Sequence, residues 1–143
     1  MSVFQLQEWW AVKVAEDEEF DMNCFDIGNV DNSVTLTNKI VVGSLKGMLR
    51  MYNPARPNYR VEDLVLEENL EKPILQVAIG RFIPGSEIAG LAVLHPRELV
   101  VYEVVPQGMH IGLNFSYLIL SYLCYSGTRR SCELLCLETY LSP

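Results

Sequence analysis

Few residues of this 143-residue chain have the types and spacing that catalysis or metal binding requires. The two histidines, His95 and His110, lie in predicted loops without a second histidine or a cysteine at ligand spacing. Cys132 and Cys136 are separated by three residues and Cys124 stands apart, which fits zinc-binding spacing poorly. We therefore predict no metal, no cofactor and no catalytic residue, and a chain that is not an enzyme.

Glycines and carboxylates offer no better site. The spacing of Gly43 and Gly47 suggests a phosphate-binding loop. No lysine–serine or lysine–threonine pair follows Gly47, however, so a hairpin is the better interpretation. Most acidic residues fall in two runs, which we interpret as a solvated surface or, alternatively, as a partner-facing acidic patch. The runs are Glu16–Glu19 with Asp21, and Glu62, Asp63, Glu67, Glu68 and Glu71.

The composition is that of a globular protein, with 50% hydrophobic and 20% charged residues. A formal net charge of −7 and the lack of a basic stripe exclude a nucleic-acid backbone as a partner. The N-terminus has no basic region typical of a signal peptide, and the apolar run from Leu113 to Tyr125 is shorter than the roughly 18–20 residues that span a bilayer. These features predict a cytoplasmic protein with reduced cysteines and no small-molecule substrate.

A repeat of about 50 residues organises the first two thirds of the chain. Gly28 recurs as Gly80 after 52 residues (80 − 28), Val42 as Val93 after 51 (93 − 42) and Tyr52 as Tyr102 after 50 (102 − 52). A strand-rich unit with a period of roughly 40–50 residues is typical of a β-propeller blade. The fold class is therefore all-β: two consecutive blades of an incomplete propeller.

The first copy follows a short N-terminal helix in this interpretation. Ser2 and Gln5 resemble a capping box, and the apolar residues that follow share one helical face, which predicts a helix over residues 3–13. Trp9 and Trp10 are expected to pack rather than to bind a ligand. Strands are predicted over 20–30, 39–45, 48–52 and 61–69, with a tight hairpin at Gly47 and an acidic outer edge.

The second copy is expected to contain three inner strands, over 74–83, 88–94 and 99–105. Pro84-Gly85 and His95-Pro96 supply the hairpins. After Pro106 the composition changes abruptly to leucine, tyrosine and cysteine, so we predict a divergent apolar tail over 107–143, for which splicing is one hypothesis. The domain organisation is then a partial propeller over 1–106, with blades at about 20–70 and 74–106. Two blades leave at least one apolar face unpaired, which predicts marginal stability or aggregation of the isolated chain.

A series of short segments across residues 1–105 resembles the Bardet–Biedl syndrome protein nine family, also called parathyroid-hormone-responsive protein. The segments are Trp9-Trp10, Glu18–Asp21, Asn29–Ser33, Lys39–Ser44, Gly47–Arg50, Glu62–Leu64, Pro73–Val77, Gly80–Phe82, Leu91–His95 and Val101–Val104. Because they are collinear over 100 residues, together they are more specific than any single motif.

The resemblance implies a non-catalytic scaffold or adaptor: the N-terminal propeller part of a subunit of the BBSome, a coat-like complex that carries membrane proteins to and from the cilium. It also implies other BBSome subunits as partners, indirect membrane association through the complex, and a location at the cilium and basal body. It transfers no functional residues, so binding residues stay unknown. Two alternatives remain open: a truncated isoform that cannot assemble and is regulatory or non-functional, and a peptide that associates with membranes through its tail.

Overall fold

Two antiparallel sheets of four strands each make up the fold. The computed structural model describes residues 3–105 and 108–113, of which residue 105 and residues 108–113 are described by their backbone alone. Sheet A contains β1 Phe25–Gly28, β2 Lys39–Gly43, β3 Met48–Tyr52 and β4 Leu64–Asn69. Sheet B contains β5 Gln76–Gly80, β6 Gly90–His95, β7 Glu98–Val105 and β8 Gly108–Leu113. Each sheet follows chain order, and a 3-10 turn, Val61–Asp63, precedes β4.

The sequence repeat is reproduced in the strand registers. Ile27 pairs with Ile40, and Ile40 pairs with Tyr52 across the first three strands of sheet A. The equivalent row of sheet B joins Ile79 to Leu91 and Leu91 to Tyr102. The predicted all-β class and the two successive propeller-like units are therefore confirmed.

Short turns set these registers. The β2–β3 hairpin closes with a Ser44 N–H to Met48 carbonyl bond of 2.9 Å, and Gly47 adopts a positive φ of 91°. A Cβ at this position would lie 2.7 Å from the Lys72 carbonyl oxygen, so glycine is required by both conformation and space. The predicted hairpin at Gly47 is confirmed.

The hydrophobic core lies between the sheets. Because side chains alternate along a strand, each sheet has two faces, here called the front and the back. The front of sheet A packs on the back of sheet B. The front of sheet A carries Val41, Leu49 and Met51, and the back of sheet B carries Val77, Leu91, Val93, Val100 and Tyr102; all are buried in one cluster.

The N-terminal helix predicted over residues 3–13 is absent. The structure assigns no helix to these residues, and Val3, Phe4 and Leu6 are exposed. The segment is anchored to sheet A through side chains near its end, so tertiary contacts override a weak local preference. In the part of the chain that the structure describes, no helix is long and apolar enough to cross a membrane.

Several strand bounds also differ from expectation. A 3-10 turn replaces the start of the strand predicted over 61–69, and the strands predicted over 39–45, 74–83 and 88–94 are observed as Lys39–Gly43, Gln76–Gly80 and Gly90–His95. The first strand, Phe25–Gly28, is shorter than the predicted 20–30, and its Phe25 side chain is 54% exposed. Residues 108–113, assigned above to the divergent tail, form β8 and pair with β7. Alternation of Met109, Ile111 and Leu113 supports this strand; the composition change after Pro106 masked it. The rest of the predicted tail lies outside the described residues.

Candidate interaction site

The back of sheet A is partly covered by a segment that we call the strap, residues 9–19. At the centre of that face lies Arg50 on β3, with a side chain only 10% exposed. Both terminal nitrogens of Arg50 donate to the Glu18 carboxylate at 2.8 Å, and its Nε donates to Glu67 on β4 at 2.7 Å. A planar guanidinium bound bidentately on one side is a strong and directional ion pair.

Charge and burial reinforce this contact. The Glu18 side chain is 8% exposed, so its ionised form depends on Arg50. The hydrogen bond from Arg50 holds the pKa of Glu18 below its ordinary value, although burial acts in the opposite direction. Glu67 is 47% exposed and contributes a weaker, solvent-screened pair. Glu18 is thus the main partner of Arg50.

An aromatic cluster anchors the other end of the strap. Trp10 lies edge-to-face on Tyr52 and Tyr59, with ring centroids 5.9 Å apart in both pairs. Its indole Nε1–H donates to Asp63 Oδ2 at 3.2 Å. The Asn58 N–H donates to the Trp9 carbonyl at 3.0 Å, which fixes the backbone beside the cluster. Aromatic pairs in this arrangement are worth about 0.5–1.5 kcal/mol beyond their buried area.

Local structure places Asp63 under the tryptophan. The 3-10 turn Val61–Asp63 is closed by a capping interaction in which Asp63 Oδ2 accepts the Arg60 N–H at 2.9 Å. This bond, with the Trp10 indole, lowers the pKa of Asp63 despite burial. Burial also raises the pKa of the Tyr52 hydroxyl, which favours its neutral form. The turn therefore offers the strap a carboxylate acceptor beside the rings of Tyr52 and Tyr59.

These contacts correct the interpretation of the acidic runs as solvated surface. The side chains of Glu18 and Asp63 are buried and hydrogen-bonded, whereas that of Glu62 is exposed. The expectation for the tryptophans holds for Trp10, while Trp9 is 52% exposed. Sequence reasoning missed Arg50 because its pairing depends on a segment 32 residues away. An isolated arginine in an apolar strand was the available signal.

Backbone-directed side chains join the two sheets along a seam. Asp26 on β1 accepts the Ile79 N–H at 2.6 Å. The Asn32 side chain donates to the Ala89 carbonyl at 2.9 Å and accepts the Ala89 N–H at 2.8 Å. A Cβ at Gly28 on β1 would lie 3.1 Å from Cγ2 of Ile79 on β5, which shows how closely the sheets approach. The seam therefore fixes the orientation of one sheet on the next.

The front of sheet B has no such cover among the described residues. Leu94, Leu99 and Val101 on this face are only half-buried. The Gln76 side-chain oxygen at its edge is buried without a hydrogen-bond partner in the described part of the chain. Because the equivalent front of sheet A is covered by sheet B, the front of sheet B is suited to pack against a further sheet.

The residues first considered for chemistry are placed apart. His95 is buried, and its Nδ1–H donates to the Pro73 carbonyl at 2.9 Å, which ties β6 to the connection between the sheets. The Sγ of Cys24 lies 3.0 Å from the Ile74 carbonyl, and burial raises the pKa of this thiol. Within the described residues no cluster of histidine, cysteine and carboxylate side chains suits a metal. The side chain of His110 and residues Cys124, Cys132 and Cys136 fall outside the described region.

The structure is thus a repeat of two sheets that are joined by the seam, with the strap over the back of sheet A. The protein-family model described as PTHB1 N-terminal matches residues 1–135. The chain belongs to the PTHB1 N-terminal family. Because PTHB1 is another name for the Bardet–Biedl syndrome protein nine family, the predicted family is confirmed. The match extends about 30 residues (135 − 105) beyond the segments that suggested the resemblance.

Individual relatives agree with this assignment. The chain is 48% identical over 108 residues to Protein PTHB1 of Xenopus laevis, 45% to that of Mus musculus and 44% to that of Homo sapiens. Each alignment covers 73% of this chain but only 12–13% of the relative. The chain therefore spans about an eighth of the length of the curated relatives that it matches.

Proposed function

We propose that the chain is a non-catalytic scaffold: the beginning of the propeller of a BBSome subunit that acts in transport of membrane proteins to and from the cilium. Its partners are other BBSome subunits, and it reaches membranes, the cilium and the basal body through that complex. No enzyme activity, cofactor or nucleic acid belongs to this function. Membership of the PTHB1 N-terminal family carries the proposal.

The geometry supports a role in assembly. The sheets are stacked front to back and joined by the Asp26 and Asn32 contacts, so the arrangement can continue in one direction. The half-buried front of sheet B, with Leu94, Leu99 and Val101, is the surface on which a further sheet would pack. The buried polar groups described above serve structural contacts, which suits a framework better than a reaction centre.

Recovery of defined partners tests the proposal. Tagged chain, with and without residues 114–143 so that β8 is kept in both, is expressed in ciliated cells, and BBSome subunits are quantified by mass spectrometry after mild purification. We expect several subunits in constant ratio with the full chain. Val93→Asp provides the control, because a charge in the fully buried core prevents folding and should abolish recovery. Rapid turnover with no BBSome subunit would instead favour the truncated, non-assembling product.

Recovery of a reporter carrying residues 107–143 in the soluble fraction would exclude membrane association through the tail.

A further inference from the structure

The strap is attached to the sheets at its ends rather than along its length. In the described residues, the backbone bonds that join it to sheet A run from the Asn58 N–H to the Trp9 carbonyl and from the Leu45 N–H to the Glu19 carbonyl. Between these points Lys13 and Glu16 pair with each other, and their side chains are 75% and 77% exposed. A segment without a strand ladder, whose middle has exposed charged side chains and only half-buried apolar ones (Val12, Val14 and Ala15), opens more easily than the sheet beneath it.

We propose that the back of sheet A is a binding surface for extended peptide segments with an aromatic residue and, eight positions later, a glutamate (18 − 10). The strap is its resident ligand, and it can be exchanged for such a segment of a partner protein. The aromatic ring fills the place of Trp10 beside Tyr52 and Tyr59. The carboxylate takes the place of Glu18 on Arg50.

Arg50 determines which segment is accepted. The equivalent position on the back of sheet B is Val100, which is buried against the front of sheet A. A purely apolar occupant over Arg50 would remove the Glu18 carboxylate and leave the buried guanidinium with only the half-exposed Glu67. An acidic segment satisfies it through the two bonds of 2.8 Å that Glu18 now makes. The face therefore selects by charge as well as by apolar contact.

Exchange requires that the resident strap be weakened. A segment tethered to its own site acts at an effective concentration of about millimolar, so a free segment in the micromolar range does not displace it. Substituting both anchors of the strap leaves the sheet residues unchanged and removes this competition. Trp10→Ala with Glu18→Gln serves this purpose, because both residues belong to the strap and neither lies in a strand.

A labelled peptide tests the proposal directly. The probe is a fluorescein-labelled peptide of residues 7–22, added to low-micromolar full-length chain and followed by fluorescence anisotropy. We expect the Trp10→Ala/Glu18→Gln chain to bind at least about tenfold more tightly than the unaltered chain. A peptide carrying Glu18→Gln should bind this variant about tenfold more weakly, because it loses a bidentate charged contact. A peptide carrying Lys13→Ala and Glu16→Ala should bind within about twofold, because these side chains face solvent.

Either of two results would overturn the proposal. One is that the double variant, shown to be folded by circular dichroism, does not bind the peptide. The other is that it binds the Glu18→Gln peptide equally well. If the double variant does not fold, hydrogen exchange of the unaltered chain decides: the Asn58 and Leu45 amides should exchange at least about tenfold faster than the slowest amides of β2 and β3. Equal hydrogen-exchange rates would show that the strap does not open separately from the sheet. That result would also exclude replacement of the strap by a partner segment.

Discussion

The backs of the two sheets occupy equivalent positions in the repeat but are covered in different ways. The back of sheet B is apolar around Val100 and lies buried against sheet A. The back of sheet A has Arg50 at that position, 50 residues earlier (100 − 50), and is covered by the strap. One substitution of charge for an apolar side chain thus changes the kind of neighbour that a sheet accepts. A repeat of backbone does not imply a repeat of interface.

The fronts of the two sheets differ in how fully they are buried rather than in their chemistry. Their apolar character is similar, but the front of sheet A is sealed by sheet B whereas the front of sheet B is half-buried. The seam residues of sheet A also have no counterparts, since Ala78 and Pro84 stand where sheet A has Asp26 and Asn32 (26 + 52 and 32 + 52). The next layer on sheet B must therefore be positioned by other contacts than those used between A and B.

The largest test of this comparison uses two equivalent leucines. Leu49 on the front of sheet A is fully buried, and Leu99 on the front of sheet B is half-buried. Leu49→Ala should lower the free energy of unfolding by about 2–5 kcal/mol, because it leaves a cavity between the sheets. Leu99→Ala should cost less than about 1.5 kcal/mol, because solvent already reaches this site. Urea unfolding followed by circular dichroism measures both, and equal losses would show that the front of sheet B is covered.

The next effect concerns the ion pair under the strap. Arg50→Met should destabilise the chain by about 1–3 kcal/mol, because it leaves the Glu18 carboxylate buried without its partner unless the strap opens. Combining Arg50→Val with Glu18→Val reproduces the chemistry of Val100 and should return stability to within about 1 kcal/mol of the unaltered chain.

Double-mutant cycles give the control for this prediction. The coupling between Arg50 and Glu18 should exceed that between Arg50 and Glu67, because Glu67 is 47% exposed. Equal coupling energies would mean that Glu18 of the strap contributes no more than a surface ion pair. The Arg50–Glu18 pair would then not explain why the backs of the two sheets are covered differently.

Acidification should separate the strap from the sheets. The pKa of Glu18 is lowered in the folded chain, chiefly by the hydrogen bond from Arg50. A lowered pKa contributes stability above the unfolded value, about 4.3 for glutamate, and this contribution is lost as pH falls through the folded value. Asp63 behaves in the same direction, chiefly through the Arg60 N–H. Tryptophan fluorescence should therefore change below about pH 4 before the circular dichroism of the sheets does.

Glu18→Gln provides the comparison for the acid experiment. Since glutamine does not titrate, the fluorescence change of this variant should be smaller and should reflect the remaining carboxylates with a lowered pKa, Asp63 and Asp17. Coincident fluorescence and circular dichroism transitions in both proteins would show that strap and sheets unfold as one unit. The back of sheet B offers no equivalent transition, because Val100 has no charge to lose.

Local signals predicted most of the strands, and tertiary contacts account for what was missed. Alternation and the hairpin at Gly47 are properties of neighbouring residues, so β3 was predicted with its observed bounds, Met48–Tyr52. The N-terminal segment has a helical apolar period, but its Trp10 and Glu18 bind residues of β3, the 3-10 turn and neighbouring loops. A local period cannot reveal such distant partners. β8 was missed because the abrupt change of composition after Pro106 masked the short alternation of Met109, Ile111 and Leu113.

The interaction site was the least predictable feature. Acidic runs are usually solvated, and only the fold shows that Glu18 meets Arg50 while Lys13 and Glu16 stay outside. The seam was equally hidden, since Asn32 has the composition of an ordinary turn and its partner Ala89 lies 57 residues away. Family resemblance supplied the class of protein, whereas these contacts required the structure.

The smallest expected effect is at Asn32, a seam residue that fixes sheet B on the front of sheet A and has no counterpart in the second copy. This residue has a positive φ of 52° and makes two hydrogen bonds to Ala89, directly before β6 of sheet B. Asn32→Ala should cost about 1–2 kcal/mol, because it loses both bonds and places a Cβ without local hydrogen bonding in the left-handed region. Asn32→Gly keeps the conformation without strain, so its smaller loss reflects the lost bonds and the greater freedom of glycine in the unfolded chain. Thermal unfolding of the pair separates the two contributions. A Gly variant as stable as the unaltered chain would assign the seam to apolar packing and leave Asn32 only a turn residue, as Pro84 is in the second copy.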